Sequence, residues 1–146
     1  MAKQKIFVNL PVADLGRAVA FYEALGGRKE PKFSDDTAAC MVLSDTIHVM
    51  LLTHAKFAGF TPRPLADARA ATEVLVALST DSRAEVDAIV DRAAAAGGQA
   101  DLKPAQDYGF MYYRNVEDPD GHIWEVLWMD PATAEAGVHD AAAAQA

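Results

Sequence analysis

Ile6, Val8 and Leu10 alternate with Phe7 and Asn9, and this period of two predicts a half-buried strand over Ile6–Leu10. Asp14 can then cap a helix in which Ala18, Phe21, Tyr22 and Leu25 recur at i, i+3, i+4 and i+7. Gly26-Gly27 supplies a left-handed stop. The same series recurs later in the chain. Val74, Val76 and Leu78 repeat the strand face, and Ser82-Arg83-Ala84-Glu85 has the form of a capping box. Val86, Ile89, Val90 and Ala93 repeat the helical stripe, and Gly97-Gly98 stops it. Val74 stands 68 residues after Ile6, and Val86 stands 68 after Ala18. A constant offset across strand, cap, stripe and stop marks an internal duplication.

Each helix is followed by three strand candidates, over 28–33, 37–43 and 46–52 in the first copy and 99–103, 110–116 and 123–129 in the second. Turn residues separate them: Ser34-Asp35-Asp36, Ser44-Asp45, Gln106-Asp107-Tyr108-Gly109 and Asp118-Pro119-Asp120-Gly121. The expectation is an α+β fold of two βαβββ modules, 5–52 and 73–129, within one domain spanning 1–130. Helices would lie on the outer faces, with curved mixed sheets around a cleft. The linker, 53–72, carries Pro62, Pro64, Phe57 and Phe60. It is too long for a simple connection and is read as a short helix or a lid. The Ala-rich tail, 131–146, has no apolar stripe and is read as frayed or loosely docked.

Composition narrows the function classes. A chain of 146 residues, 51% apolar, can bury a core without staples. Its 13 basic and 21 acidic residues give a formal charge of −8 with no Lys/Arg stripe, which argues against nucleic acid and anionic membranes as partners. Cys40 is the only cysteine, so no internal disulfide can form, and its apolar neighbours make it a core residue rather than a nucleophile. No run reaches the roughly 18 apolar residues of a membrane-spanning helix, and the protein is read as cytoplasmic.

The segment Asp118-Pro119-Asp120-Gly121-His122-Ile123-Trp124-Glu125-Val126 is a tight turn feeding a strand, with one acid among large apolar residues. Together with the duplicated unit it resembles the vicinal oxygen chelate superfamily. That superfamily includes glyoxalase I, extradiol dioxygenases, fosfomycin-modifying enzymes and bleomycin-binding resistance proteins. Phe7-Val8-Asn9-Leu10-Pro11-Val12 and Phe21-Tyr22-Glu23-Ala24-Leu25-Gly26 are most similar to the bacterial proteins termed predicted lactoylglutathione lyases. The resemblance spans about Lys5 to Met129 and implies a small-molecule cleft and a homodimer.

Metal-using members of that superfamily take ligands from four strand positions: His or Gln, Glu or His, His, and Glu. By resemblance these fall here on Asn9, Met50, Ala77 and Glu125, and only Glu125 belongs to the usual set. Ala77 offers no donor, and a thioether suits soft ions. No cofactor is therefore expected; a divalent metal held by Glu125 with His48 is the alternative. Substrate-binding candidates are Phe7, Asn9, His48, Met50, Phe110, Tyr112 and Arg114. Phe7, Phe110 and Tyr112 are assigned to the cleft, and Met111, Tyr113 and Trp124 to the opposite side. Arg114 is either an anion binder or an ion-pair partner of Glu125 or Glu117. His54 and His122 are read as solvated, and His139 belongs to the tail.

Three functions follow. The first is lyase or isomerase chemistry on a small carbonyl or thiol-adduct substrate, with Glu125 as the catalytic base and Arg114 steadying the enediolate. The second is a non-enzymatic binder of an aromatic or drug-like ligand. A metal-dependent dioxygenase is the third, disfavoured by Asn9 and Ala77.

Overall fold

Two sheets, each backed by one long helix, carry the chain. The structure is a computed structural model that describes residues 2–137. The first module comprises β1 (Ile6–Val12), α1 (Leu15–Leu25), β2 (Arg28–Glu30), β3 (Ala38–Val42) and β4 (Ile47–Thr53). After a short helix α2 (His54–Ala58), the second comprises β5 (Val76–Ser79), α3 (Arg83–Ala95), β6 (Gln99–Ala100), β7 (Gln106–Asp107), β8 (Met111–Glu117) and β9 (Ile123–Met129). A last helix, α4, covers Pro131–Ala136. His139 and the rest of the predicted tail beyond residue 137 lie outside the described residues.

The duplicated pattern becomes a duplicated topology. The first sheet runs β1-β4-β3-β2 and the second β5-β9-β8-β6, with β7 also on β8. In each, the first strand pairs in parallel with the last, β1 with β4 and β5 with β9, while the other pairs are antiparallel. This is the α+β arrangement of two mixed sheets expected from the sequence. Local chemistry sets its helices. The Asp14 carboxylate accepts from the Arg17 N–H at 2.9 Å, and Ser82 Oγ from the Glu85 N–H at 3.1 Å. Glu85 reaches back one residue beyond the usual box and accepts from the Asp81 N–H at 2.9 Å.

The helical stripes bury as spaced: Ala18, Phe21, Tyr22 and Leu25 on α1, and Val86, Val90 and Ala93 on α3. They share one core with Val49, Leu51, Val116, Trp124 and Val126, so the modules fold against each other. A buried polar joint ties them. The Tyr22 hydroxyl donates to Asp118 Oδ2 at 2.6 Å and accepts from Trp124 Nε1 at 2.9 Å. The other oxygen of Asp118 accepts from the Asp120 and His122 N–H groups, at 2.8 and 2.9 Å. Much of the 118–126 segment is therefore architecture. His122, expected in solvent, instead bonds the Pro11 carbonyl through Nε2 at 2.8 Å, because the turn lies against the end of β1.

Some strands are shorter than the pattern predicts. β2 stops at Glu30 because Pro31 opens a 3-10 turn. β6 ends at Ala100, where Asp101 takes φ 57° and its carboxylate turns to Arg114. The predicted turn at Gln106-Asp107 is instead a two-residue strand paired with Tyr113 and Tyr112.

Candidate functional site

The strand faces turned away from α1 and α3 hold most of the candidate side chains. In the first sheet, Val49 and Leu51 point into the core, which leaves His48, Met50 and Leu52 on the far face of β4. Asn9 lies directly opposite Met50, which lies opposite Cys40. Phe7 stacks on His48 with ring centroids 4.5 Å apart and planes 19° from parallel. His48 is 9% exposed, and its Nδ1 has no hydrogen-bond partner among the described residues.

In the second sheet, Trp124 and Val126 enter the core, so Ile123, Glu125 and Leu127 occupy the far face. Glu125 stands opposite Ala77 on one side and Asn115 on the other. The four positions singled out by resemblance thus form two directly opposed pairs, Asn9 with Met50 and Ala77 with Glu125. Their donors are an amide, a thioether and one carboxylate, which do not fit a divalent metal. Among the described residues no three His, Cys, Asp or Glu side chains come together.

Two candidates face the other way. Tyr112 donates to Asp87 of α3 at 2.6 Å. Its hydroxyl pKa is pushed up to about 12, first by that bond and then by burial. Arg114 pairs with Asp87 at 3.1 Å, Asp91 at 3.0 Å and Asp101 at 2.8 Å. The expected partner Glu117 instead binds Arg69 at 2.6 Å. Direct opposition of Asn115 and Glu125 explains the correction. Residues facing each other in an antiparallel pair share a side, so Glu125 goes with odd-numbered residues of β8 and never with Tyr112 or Arg114. Met111 and Tyr113 therefore take the far face assigned to their even-numbered neighbours. Burial raises the Tyr113 hydroxyl pKa, and the charges of Tyr108 and Glu125 add to it. Phe110 sits by Tyr108, ring centroids 6.1 Å apart.

The open space lies elsewhere. A cavity of about 460 Å³ opens where the linker passes the edge of β1 and the start of β9. Leu10, Val76, Ile123 and Trp124 form its apolar floor, and Phe57, Leu65 and Ala71 come from the linker. An adjoining cavity of about 530 Å³ shares Asn9, Phe57 and Thr61 with it and adds Leu52 and Phe60. Of the candidates read from sequence, only Asn9 lines these spaces; Phe7, His48, Met50, Phe110, Tyr112, Arg114 and Glu125 do not. Arg63 and Glu73, charged residues of the wall, carry no periodic signal. Their only mark in the sequence is position: Arg63 stands between two prolines of the linker read as a short helix or a lid, and Glu73 directly follows that linker.

The model of the Glyoxalase/Bleomycin resistance protein/Dioxygenase superfamily matches residues 6–126. No match is found among the curated proteins. Solved structures are similar. A hypothetical protein from S. aureus is 25% identical, with a TM-score of 0.71 over 88% of this chain and 95% of that one. A glyoxalase-related enzyme from Fulvimarina pelagi is also 25% identical, with a TM-score of 0.71 over 87% and 88%. A fosfomycin resistance protein from Mesorhizobium loti shares the fold at 17% identity, with a TM-score of 0.65 over 92% and 99%.

Proposed function

Since the chain belongs to the Glyoxalase/Bleomycin resistance protein/Dioxygenase superfamily, we propose that it is a small-molecule-binding member whose ligand occupies the cavity beneath the linker. One observation carries this reading: the partly open cavity of about 460 Å³ has an apolar floor, with a minority of polar groups such as Asn9, Arg63 and Glu73 in its wall. Those are the features of a small-molecule site. Sequestration of an aromatic or drug-like ligand needs nothing more. The groups that would complete proton-transfer chemistry are not assembled there, since Arg114 is committed to three aspartates behind the sheet.

A neutral aromatic probe, N-phenyl-1-naphthylamine, tests this. It is expected to bind the native protein and raise its melting temperature. Ala71→Trp, which fills the cavity, should abolish binding, and Glu125→Gln should leave the affinity unchanged. Binding that survives Ala71→Trp overturns the reading.

The second reading keeps Glu125 as a base for isomerising a carbonyl or thiol-adduct substrate. It rests on Glu125 standing partly open on the far face with Tyr113 nearby. Glutathione hemithioacetal turnover would have to be present in the native protein and absent in Glu125→Gln.

A homodimer fits either reading. β1 and β5 each end a sheet, and Ile6, Phe7, Val74 and Leu75 are 57%, 50%, 63% and 54% exposed at or beside those edges. A second copy would cover them. Sedimentation is expected at twice the chain mass, with Leu75→Lys shifting it toward one; a single-chain mass for the native protein at tens of micromolar rejects the dimer.

A further inference from the structure

We infer that the cavity selects an amphipathic monoanion, an apolar body carrying one carboxylate, sulfonate or similar group, and that Arg63 is the residue that recognises the anion. The inference rests on the cavity reading above and adds the ligand's charge.

Arg63 is distinguished by what it lacks. Arg17, Arg28, Arg69, Arg83 and Arg114 each pair with a carboxylate, and Arg92 donates to the Ala24 carbonyl at 2.6 Å. Among the described residues the Arg63 guanidinium alone of the arginines has neither an ion pair nor a hydrogen bond, and it lines the cavity wall. In a chain of formal charge −8, where carboxylates pair with most other guanidiniums, an unpaired one beside an apolar cavity is available to an anionic ligand.

Its backbone is already set. Pro62 and Pro64 fix φ on either side, and the Thr61 hydroxyl accepts from the Arg63 N–H at 3.2 Å. Less ordering is then required when an anion binds. The apolar floor of Leu10, Val76, Ile123 and Trp124 takes the body of the same ligand. Glu73 lines the same cavity, and among the described residues it too has no ion-pair partner and is not bridged to Arg63. A carboxylate in that wall repels further negative charge and limits the ligand to one anionic group.

Two probes with one shared body separate the terms: N-phenyl-1-naphthylamine, which is neutral, and 8-anilinonaphthalene-1-sulfonate, which adds one sulfonate. The native protein is expected to bind the sulfonate about tenfold more tightly than the neutral probe. Arg63→Gln should remove that preference and leave the neutral probe's affinity unchanged, while Arg63→Lys keeps part of it. Arg63 is exposed and unpaired, so the variant's melting temperature should match the native one. Equal binding of both probes by the native protein, or an unchanged preference in Arg63→Gln, overturns the role of Arg63 while the cavity reading stands. Failure of both probes to bind, or binding that persists in Ala71→Trp, removes the cavity reading and this inference with it.

Discussion

Asp118→Ala is expected to lower the unfolding free energy by about 3 kcal/mol, measured by urea denaturation at neutral pH. The carboxylate is 1% exposed and accepts from the Tyr22 hydroxyl and from the N–H groups of Asp120 and His122. Alanine leaves these donors without an acceptor, at about 1–3 kcal/mol for each that stays dry. Trp124 loses indirectly, because its indole donates to the same Tyr22 oxygen. A loss below about 1 kcal/mol would show that the joint does not hold the modules together.

The same carboxylate has a pH signature. Burial raises the Asp118 pKa above 3.8, and this outweighs the lowering by nearby His122 and by the bonds from Tyr22 and the backbone. The folded chain therefore binds this proton more tightly than the unfolded chain does. Its contribution is fully present below the unfolded value and is lost as pH rises through the folded one. Asp87 and Asp107 work in the opposite sense. Hydrogen bonds from Tyr112 and Arg83 respectively hold them below the usual carboxylate range, so what they add is lost as pH falls. Comparison with Asp118→Asn isolates the one group. The stability of the native chain relative to that variant should fall as pH climbs from below 3.8 through the raised value; a rise would contradict the burial argument.

Gly98→Ala is the other large expected effect, about 3 kcal/mol of destabilisation. A Cβ there would lie 2.6 Å from the Glu117 carbonyl oxygen and 2.6 Å from Cε2 of Phe21, with the Ala93 carbonyl at 3.1 Å. Phe21 is fully buried and cannot swing aside. The neighbouring Gly97 has φ +105° and a Cβ contact no closer than 3.6 Å, so Gly97→Ala should lose only about 1 kcal/mol through backbone strain. The order of the two losses in a thermal or urea series is the test. A greater loss at Gly97 would place the constraint in the backbone rather than in the approach of helix, strand and ring.

Gly97-Gly98 also shows how far the sequence could be read. The pair announces the end of a helix whatever surrounds it, because positive φ is a local property. That Gly98 is required by a ring from α1, some 77 positions earlier in the chain, is a packing fact with no local trace. The candidate site divides in the same way. Glu125 and Asn9 take the far faces of their strands, as alternation about Trp124 and Leu10 demands. Alternation within β8 puts Tyr112 and Arg114 on one face without saying which, and the face of a strand is settled only by its partner. The register Glu117 to Ile123 and Asn115 to Glu125, imposed by the intervening turn, reverses their side.

The chain by itself determined the two modules, their caps and stops, the helical stripes and the mixed sheets, since each follows from periodicity and turn chemistry repeated at one offset. It could not determine where space is left. The cavity exists because the linker crosses a seam between two modules, and Arg63 lines it because the linker's path carries its guanidinium past the carboxylates. Both are outcomes of packing among residues distant in sequence, where pairwise distances, rather than local preferences, decide which groups meet and which are left to a ligand.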